Sequence, residues 1–479
     1  MRFDALTAVL LIPVFAAALL ALLPGYRITA RLNVLATLAT FVSAVSLFAA
    51  RPQPGPYLLV DDLNSTFIVL TTFVGFTTSV FSASYIGHEL DNGKLTPTFV
   101  RFYHAMYQVL MFAMNLALVA NNIGVMWVAI ELATLTTVMM VGIYRTHEAL
   151  EAAWKYFILG SVGIALALFG TILIYMAARP AVGEGLDAMV WTTLIKHAGA
   201  FDPALLNVAF VFLLLGYGTK VGLAPLHAWL PDAHAEGPTP ISAVLSGLLL
   251  NVALYALLRF KMLLAVNPAA LAPGPLMVTL GLVSLVFAAF MLYRRRDIKR
   301  MFAYSSIEHM GIITFAFGMG GPIANFAGLL HMTMHSLTKS AIFFAVGHVA
   351  QIKDTQRIAD MGGLTETNPV LGWGLILGVI AIAGMPPLGI FMSEFLVVSS
   401  TFARSPALAL ILVFGLLVGI GGLFLRLNTI AFGEPRGPVA KSNASYLPLF
   451  SHLALVLMAG IYMPPALVAW FESVAKLLG

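Results

Sequence analysis

The sequence predicts an all-α polytopic membrane protein, and three observations carry that prediction. Hydrophobic residues make up 60% of the 479 and charged residues only 10%, an apolar share well above that of a soluble domain. The apolar residues gather in runs of helix length with no period-two alternation, which excludes a membrane barrel and leaves a helical bundle. Two of those runs are interrupted by proline in a related way, one at Pro225 and one at Pro386 and Pro387.

A window of roughly 19 residues finds about fourteen apolar segments. They centre near residues 14, 41, 75, 112, 133, 166, 213, 252, 283, 309, 338, 380, 415 and 458. The first, Leu6 to Leu23, is followed by Arg27 and Arg31 rather than a small-residue cleavage site, so it reads as a retained span and not a signal peptide. An even number of spans puts both termini on one side. The odd-numbered loops carry 16 Lys and Arg residues, among them Arg294, Arg295, Arg296, Lys299 and Arg300, together with Lys353, Arg357, Arg426, Arg436 and Lys441. The even side carries 8, including Arg2, Arg51, Arg404 and Lys476. The positive-inside rule makes the odd loops cytoplasmic and both termini periplasmic.

Gly222-Leu-Ala-Pro225-Leu226 and Gly384-Met-Pro-Pro387-Leu388 share the pattern Gly-x-x-Pro-Leu at an offset of 162 residues. Proline removes a backbone donor and clashes with the preceding turn, so both helices should break there and expose carbonyls inside the bundle. Paired broken helices point to a transporter built from repeats, with its working site near the midplane.

Inside the spans titratable groups are few and ordered. Glu131 sits in the middle of its segment, Lys220 precedes the first break, and Glu394 follows the second by seven residues, about two turns. His331, His335 and Lys339 recur every fourth residue and share one stripe of one helix. In a low-dielectric interior a carboxylate and a lysine hold each other ionised, and separating them drives proton loss or gain. Such groups mark ion paths or costly structural pairs. His331 and His335 also admit a plain reading as satisfied core histidines. His227, Asp232 and His234 lie among prolines and read as loop caps rather than metal ligands, while Glu308 and His309, close to the arginine cluster, read as wet or paired. No cysteine is present, which excludes iron–sulfur ligation, disulfides and thiol chemistry in this chain. No metal, cofactor or catalytic centre of its own is expected, and nothing points to nucleic acid.

Lys220-x-x-x-x-Pro225-Leu226-His227-x-Trp229-Leu230-Pro231-Asp232-Ala233-His234, the mid-helix Glu131, the His335-x-x-x-Lys339 pair and the Gly384-x-Pro386-Pro387-x-x-x-Phe391-x-x-Glu394 run resemble the antiporter-like, proton-pumping subunits of respiratory complex I. Mrp-type cation/proton antiporters and membrane-bound hydrogenases share that family. Within it, Leu245 to Lys261 and Ser305 to Gly311 are most similar to the hydrogenase-4 and formate hydrogenlyase branch.

The resemblance implies fourteen helices. They comprise residues 1–103, two inverted five-helix repeats over 104–264 and 274–435 with broken seventh and twelfth helices, and a last span in 446–479. It also implies roles: Glu131 and Lys220 as the pair gating proton loading, Lys339 as central carrier beside His335 and His331, and Glu394 as the terminal group on the exit side. Partners implied are other membrane subunits, peripheral hydrogenase and iron–sulfur subunits, and the lipid of a bacterial inner membrane. Some paralogues carry a lysine where this chain has Asn251, so the link from Lys220 to Lys339 should run through water, Ser246 or the histidines. The same residues would also serve an Mrp-type antiporter subunit or a membrane partner of inorganic-carbon uptake.

Overall fold

The computed structural model describes residues 4–439 and 445–479, so Arg2 and Lys441 lie outside the described residues. The described chain is helical, with only isolated β-bridges between loops. In order the helices are α1 (Ala5–Leu22), α2 (Tyr26–Ser46), α3 (Asp62–Asp91), α4 (Pro97–Val119), α5 (Ile123–Val141), α6 (His147–Val182), the short α7 (Trp191–His197), α8 (Pro203–Val221) and α9 (Trp229–Glu236). There follow α10 (Thr239–Ala265), α11 (Gly274–Leu292), α12 (Ile298–Met319), α13 (Pro322–Lys353), α14 (Pro369–Ile382), α15 (Gly389–Arg404), α16 (Pro406–Phe432), α17 (Leu447–Ile461) and α18 (Pro465–Leu477).

Ten described helices are long and apolar enough to cross a membrane, and α17 with α18, bent by 82°, adds an eleventh candidate. The other expected spans centre at 309, 338 and 380. Two of them, α12 and α13, have 22 and 32 residues, enough at 1.5 Å per residue to cross a hydrocarbon core of about 30 Å. Their buried Lys299, Glu308, His309, His331, His335 and Lys339 dilute the apolar signal. The third is divided into α14 and α15 by the second break.

Glycine, rather than proline, ends each broken helix. Gly222 (φ 80°) and Gly384 (φ 63°) adopt the left-handed conformation that glycine takes at low cost. The Gly222 and Leu223 amides donate to the carbonyls of Thr219 and Gly218 at 3.2 and 3.0 Å. Gly384 and Met385 do the same to Ala381 and Ile380, both at 3.2 Å. The Thr219 carbonyl also accepts from Trp229 Nε1 at 2.8 Å. The expectation of carbonyls laid bare by proline is therefore narrowed: a Schellman cap satisfies those of Gly218, Thr219, Ile380 and Ala381, and Pro225, Pro386 and Pro387 lie beyond it in the turn. Gly222→Ala should lower stability by about 1–2 kcal/mol, because alanine is disfavoured in that conformation and its Cβ would meet Leu230 at 3.0 Å. Thermal unfolding in detergent checks this, and an unchanged midpoint would contradict the assignment.

The connections sort into two faces. On one, Ile298 N donates to Gln356 O and Ile358 N to Arg296 O, both at 2.9 Å, Arg436 N reaches Gly362 O, and Lys94 pairs with Asp354 at 3.3 Å. On the other, Leu59 N donates to Val119 O at 2.8 Å and Trp191 N to Asn121 O at 2.6 Å. Odd loops thus meet odd loops, as spans of alternating direction require. Within the bundle α13 is central in the second half, packing on α3, α10, α12, α14, α15, α17 and α18. Helix α10 is buried along its whole apolar length. A π segment, Leu245–Leu249, interrupts it where Gly247 lets its backbone approach Ser336 and Ser340 of α13.

Candidate functional site

Helix α8 carries Lys220 into the bundle two residues before its glycine stop, and α5 presents Glu131 to it. Lys220 is 2% exposed and Glu131 19%, and Lys220 Nζ lies 3.9 Å from Glu131 Oε2. The ammonium also donates to Thr134 Oγ1 at 2.7 Å and sits 5.7 Å from the centre of the Tyr156 ring. That ring stacks on Trp229 of α9, with centroids 4.2 Å apart and planes at 9°. The break itself therefore positions the lysine: the indole beyond it holds the Thr219 carbonyl on one side and the tyrosine beneath Lys220 on the other. Thr134 stands one turn along α5 from Glu131, so carboxylate and hydroxyl face the lysine together.

A second group is built around α13. Lys339 is fully buried, donates to the Phe302 carbonyl at 3.2 Å and lies 5.7 Å from the Phe302 ring centre. Among the described residues no carboxylate comes within 4.0 Å of it; Glu308, one face over on α12, is its electrostatic neighbour. Ser306 Oγ shares the Phe302 carbonyl at 3.0 Å and meets Ser246 Oγ at 2.6 Å. Asn251 does not reach the lysine. Its amide donates to Ser336 Oγ at 2.7 Å, so Ser246, rather than Asn251, connects α10 through Ser306 to the Phe302 carbonyl that accepts from Lys339.

From Lys339 the α13 stripe continues to His335 and His331. His309 of α12 lies against both rings, at centroid distances of 5.7 and 5.2 Å. His309 Nδ1 and His331 Nε2 share a hydrogen bond of 2.9 Å, and His331 Nδ1 bonds Ser393 Oγ at 2.9 Å. Glu394 Oε1 stands 4.0 Å from His309 Nδ1. The Glu394 carboxylate folds back onto Gly384, where any side chain would occupy its place. His331 is thus hydrogen-bonded, whereas both nitrogens of His335 are buried without a protein partner. Buried polar atoms of this kind are ordinarily satisfied by ordered water.

Five of the six proposed site residues are therefore buried and Glu131 is partly so, in two groups: Glu131 with Lys220, and Lys339 with His335, His331 and Glu394. Of the two readings of Glu308 and His309, wet or paired, the first is corrected, since they are 3% and 2% exposed, and His309 is paired with His331. Eight residues past Arg300, α12 has carried them about 12 Å into the bundle. The reading of His227, Asp232 and His234 as loop caps is corrected in the same way. Asp232 pairs with Arg300 at 2.7 Å and Lys155 at 3.1 Å. His227 packs on Phe287. His234 is fully buried and stacks on Phe343 of α13 at 4.9 Å, one turn from Lys339. Both His234 nitrogens lack a protein partner, and it lies between the first break and the Lys339 helix. The sequence signal for His234 was its place in the same run as Lys220, masked by the surrounding prolines. Among the described residues His309, His331 and Glu394 bring one ligand atom each within 4.8 Å of one another. Of these, His309 and His331 are tied to each other, and His331 to Ser393, by the hydrogen bonds given above, while among the described residues Glu394 makes only the 4.0 Å contact with His309.

The family profile for the transmembrane region of NADH:quinone oxidoreductase and Mrp antiporter subunits matches residues 120–421. The chain belongs to this family. The matched region contains both groups, from Glu131 to Glu394. The hydrogenase-4 component F homolog of Methylacidiphilum infernorum is 63% identical over 471 residues, covering 98% of this chain and 99% of that one. NADH-quinone oxidoreductase subunit N of Desulforudis audaxviator is 27% identical over 418 residues, covering 86% and 80%. Among solved structures, a chain of the archaeal membrane-bound sulfane sulfur reductase superposes with a TM-score of 0.87 at 22% identity, covering 99% of this chain and 97% of that one. A chain of the Mrp complex from Dietzia does so at 0.86 and 17%, covering 100% and 98%. The protein is thus an antiporter-like membrane subunit, and its relatives are subunits of multi-subunit membrane complexes.

Proposed function

We propose that this antiporter-like subunit translocates protons across a bacterial inner membrane within a redox-driven complex of the membrane-bound hydrogenase type. The observation that carries the reading is the buried pair of Lys220 and Glu131, 3.9 Å apart and held at a helix break. Opening the pair removes the partner that keeps Lys220 charged, so its proton passes inward. His234 and the Ser246–Ser306 pair lead toward Lys339. Beyond it, His335, His309 and His331 offer ring nitrogens that accept and donate in turn, ending at Ser393 and Glu394. Among the described residues no side-chain hydrogen bond joins the two groups, so transfer between them runs through water.

The matching caps at Gly222 and Gly384 support two inverted repeats over 104–264 and 274–435. The arginine-rich odd loops support a cytoplasmic face opposite periplasmic termini. The chain has no cysteine, so the electron carriers belong to peripheral partners. The hydrogenase assignment rests on the 63% identity to a hydrogenase-4 component F homolog.

Affinity purification of the tagged protein in mild detergent tests that assignment. Hydrogenase and iron–sulfur subunits should co-purify with it. Recovery of polytopic antiporter subunits alone, or of a soluble zinc protein, would move the chain to an Mrp-type or inorganic-carbon uptake role with the same proton path.

A further inference from the structure

Three odd-numbered loops converge on a cavity that none of the proposed proton-path residues lines. It measures about 530 Å³ and is bordered by Arg294, Arg296, Arg357, Arg426 and Arg436, with Tyr293 at its lip. The loops are tied together there by the Ile358 to Arg296 and Arg436 to Gly362 backbone bonds. Among the described residues only Arg357 of the five has a carboxylate partner, Asp360 at 3.6 Å. Arg426 Nη2 donates to the Tyr293 carbonyl at 2.5 Å, and its Nε is buried without any partner. Five guanidiniums around one concavity repel one another, and a planar fork favours a phosphate over a point anion.

The surface beneath the cavity selects the source of that phosphate. Tyr293 ends α11 and donates its hydroxyl to Val418 of α16 at 3.0 Å, so the cavity opens at the end of an α11–α16 seam. On that seam Phe290 and Phe414 are both exposed, with ring centroids 6.0 Å apart, and Leu425 is exposed beside Arg426. A basic pocket directly above an exposed apolar seam suits a molecule that is anionic at one end and hydrocarbon at the other. A hydrophilic acidic peptide would leave the seam uncovered.

We infer that this cavity binds the phosphodiester headgroup of an acidic glycerophospholipid, with its acyl chains lying along α11 and α16. Basic pockets between transmembrane helices recognise headgroups of this kind. The inference is independent of the proton path, and neither stands or falls with the other.

The test titrates the purified complex with tetraoleoyl cardiolipin and reads bound lipid by native mass spectrometry. Phosphatidylcholine and excess inorganic phosphate serve as controls. The wild type should show one saturable cardiolipin adduct that neither control displaces. Arg294→Gln/Arg296→Gln/Arg426→Gln should weaken it roughly a hundredfold, at about a factor of five per arginine near the membrane surface. Should the triple variant not fold, Arg296→Gln alone, exposed and without a carboxylate partner, should still give a loss of about fivefold. Unchanged cardiolipin affinity in the variants would overturn the inference. So would displacement by inorganic phosphate alone, which would mark a free-anion site. Loss of a co-purifying subunit with lipid retained would mark the surface as a protein-docking site and overturn it as well.

Discussion

Lys220→Met should destabilise the folded protein, and Glu131→Gln/Lys220→Met should recover most of that stability. Removing one member of a buried pair strands the other, at about 3–5 kcal/mol when it stays charged. Replacing both members removes the desolvation penalty along with the attraction, and such double replacements are commonly neutral or stabilising by about 1–4 kcal/mol. The single-variant loss should fall toward the low end, because Glu131 is 19% exposed and can take up a proton. Thermal unfolding in detergent gives the order of the midpoints: wild type and double variant together, single variant below. A structural pair and a gating pair predict the same order, so the two are separated only by transport. If the pair only holds α5 to α8, the restored double variant should translocate protons. As a gate, it should not.

The second large effect is at Lys339. Its ammonium has one protein acceptor, the Phe302 carbonyl at 3.2 Å, and among the described residues no carboxylate within 4.0 Å. Lys339→Met fills nearly the same volume without a buried charge, so it should fold at least as well as the wild type while losing proton translocation. Lys339→Arg keeps the charge but cannot release a proton at any accessible pH. It should therefore fail in transport as fully as the methionine variant does. Proton uptake in inverted membrane vesicles, normalised to assembled complex, measures both. Transport by the arginine variant at the wild-type rate would show that Lys339 acts as a fixed charge and not as a carrier.

What the sequence made legible follows from cost. A lysine or glutamate in an apolar run is expensive, and that cost makes Glu131, Lys220, Lys339 and Glu394 stand out by position alone, whereas Glu308 does not. The four-residue spacing of His331, His335 and Lys339 placed them on one stripe, and α13 does carry them facing α12. The breaks were legible from proline, although glycine makes them. Glu308 and His309 were not legible as interior residues, because nearness to the arginine cluster along the chain says nothing about depth once a helix intervenes. His234 was hidden by flanking prolines that suggested a surface loop, whereas α9 folds inward and stacks its ring on Phe343. Which helices would lie side by side, and so the meeting of His309 with His331 across α12 and α13, is a matter of tertiary packing. Spacing along one segment cannot supply it.

The most direct test of the proposed gate is the number of protons moved per electron by inverted vesicles carrying the Glu131→Gln/Lys220→Met complex, with electron transfer matched to the wild type. This variant keeps the packing and removes only the separable charges. The account predicts that electron transfer persists while the proton share carried by this subunit disappears. A wild-type ratio of protons to electrons would contradict it and reduce the pair to a structural contact.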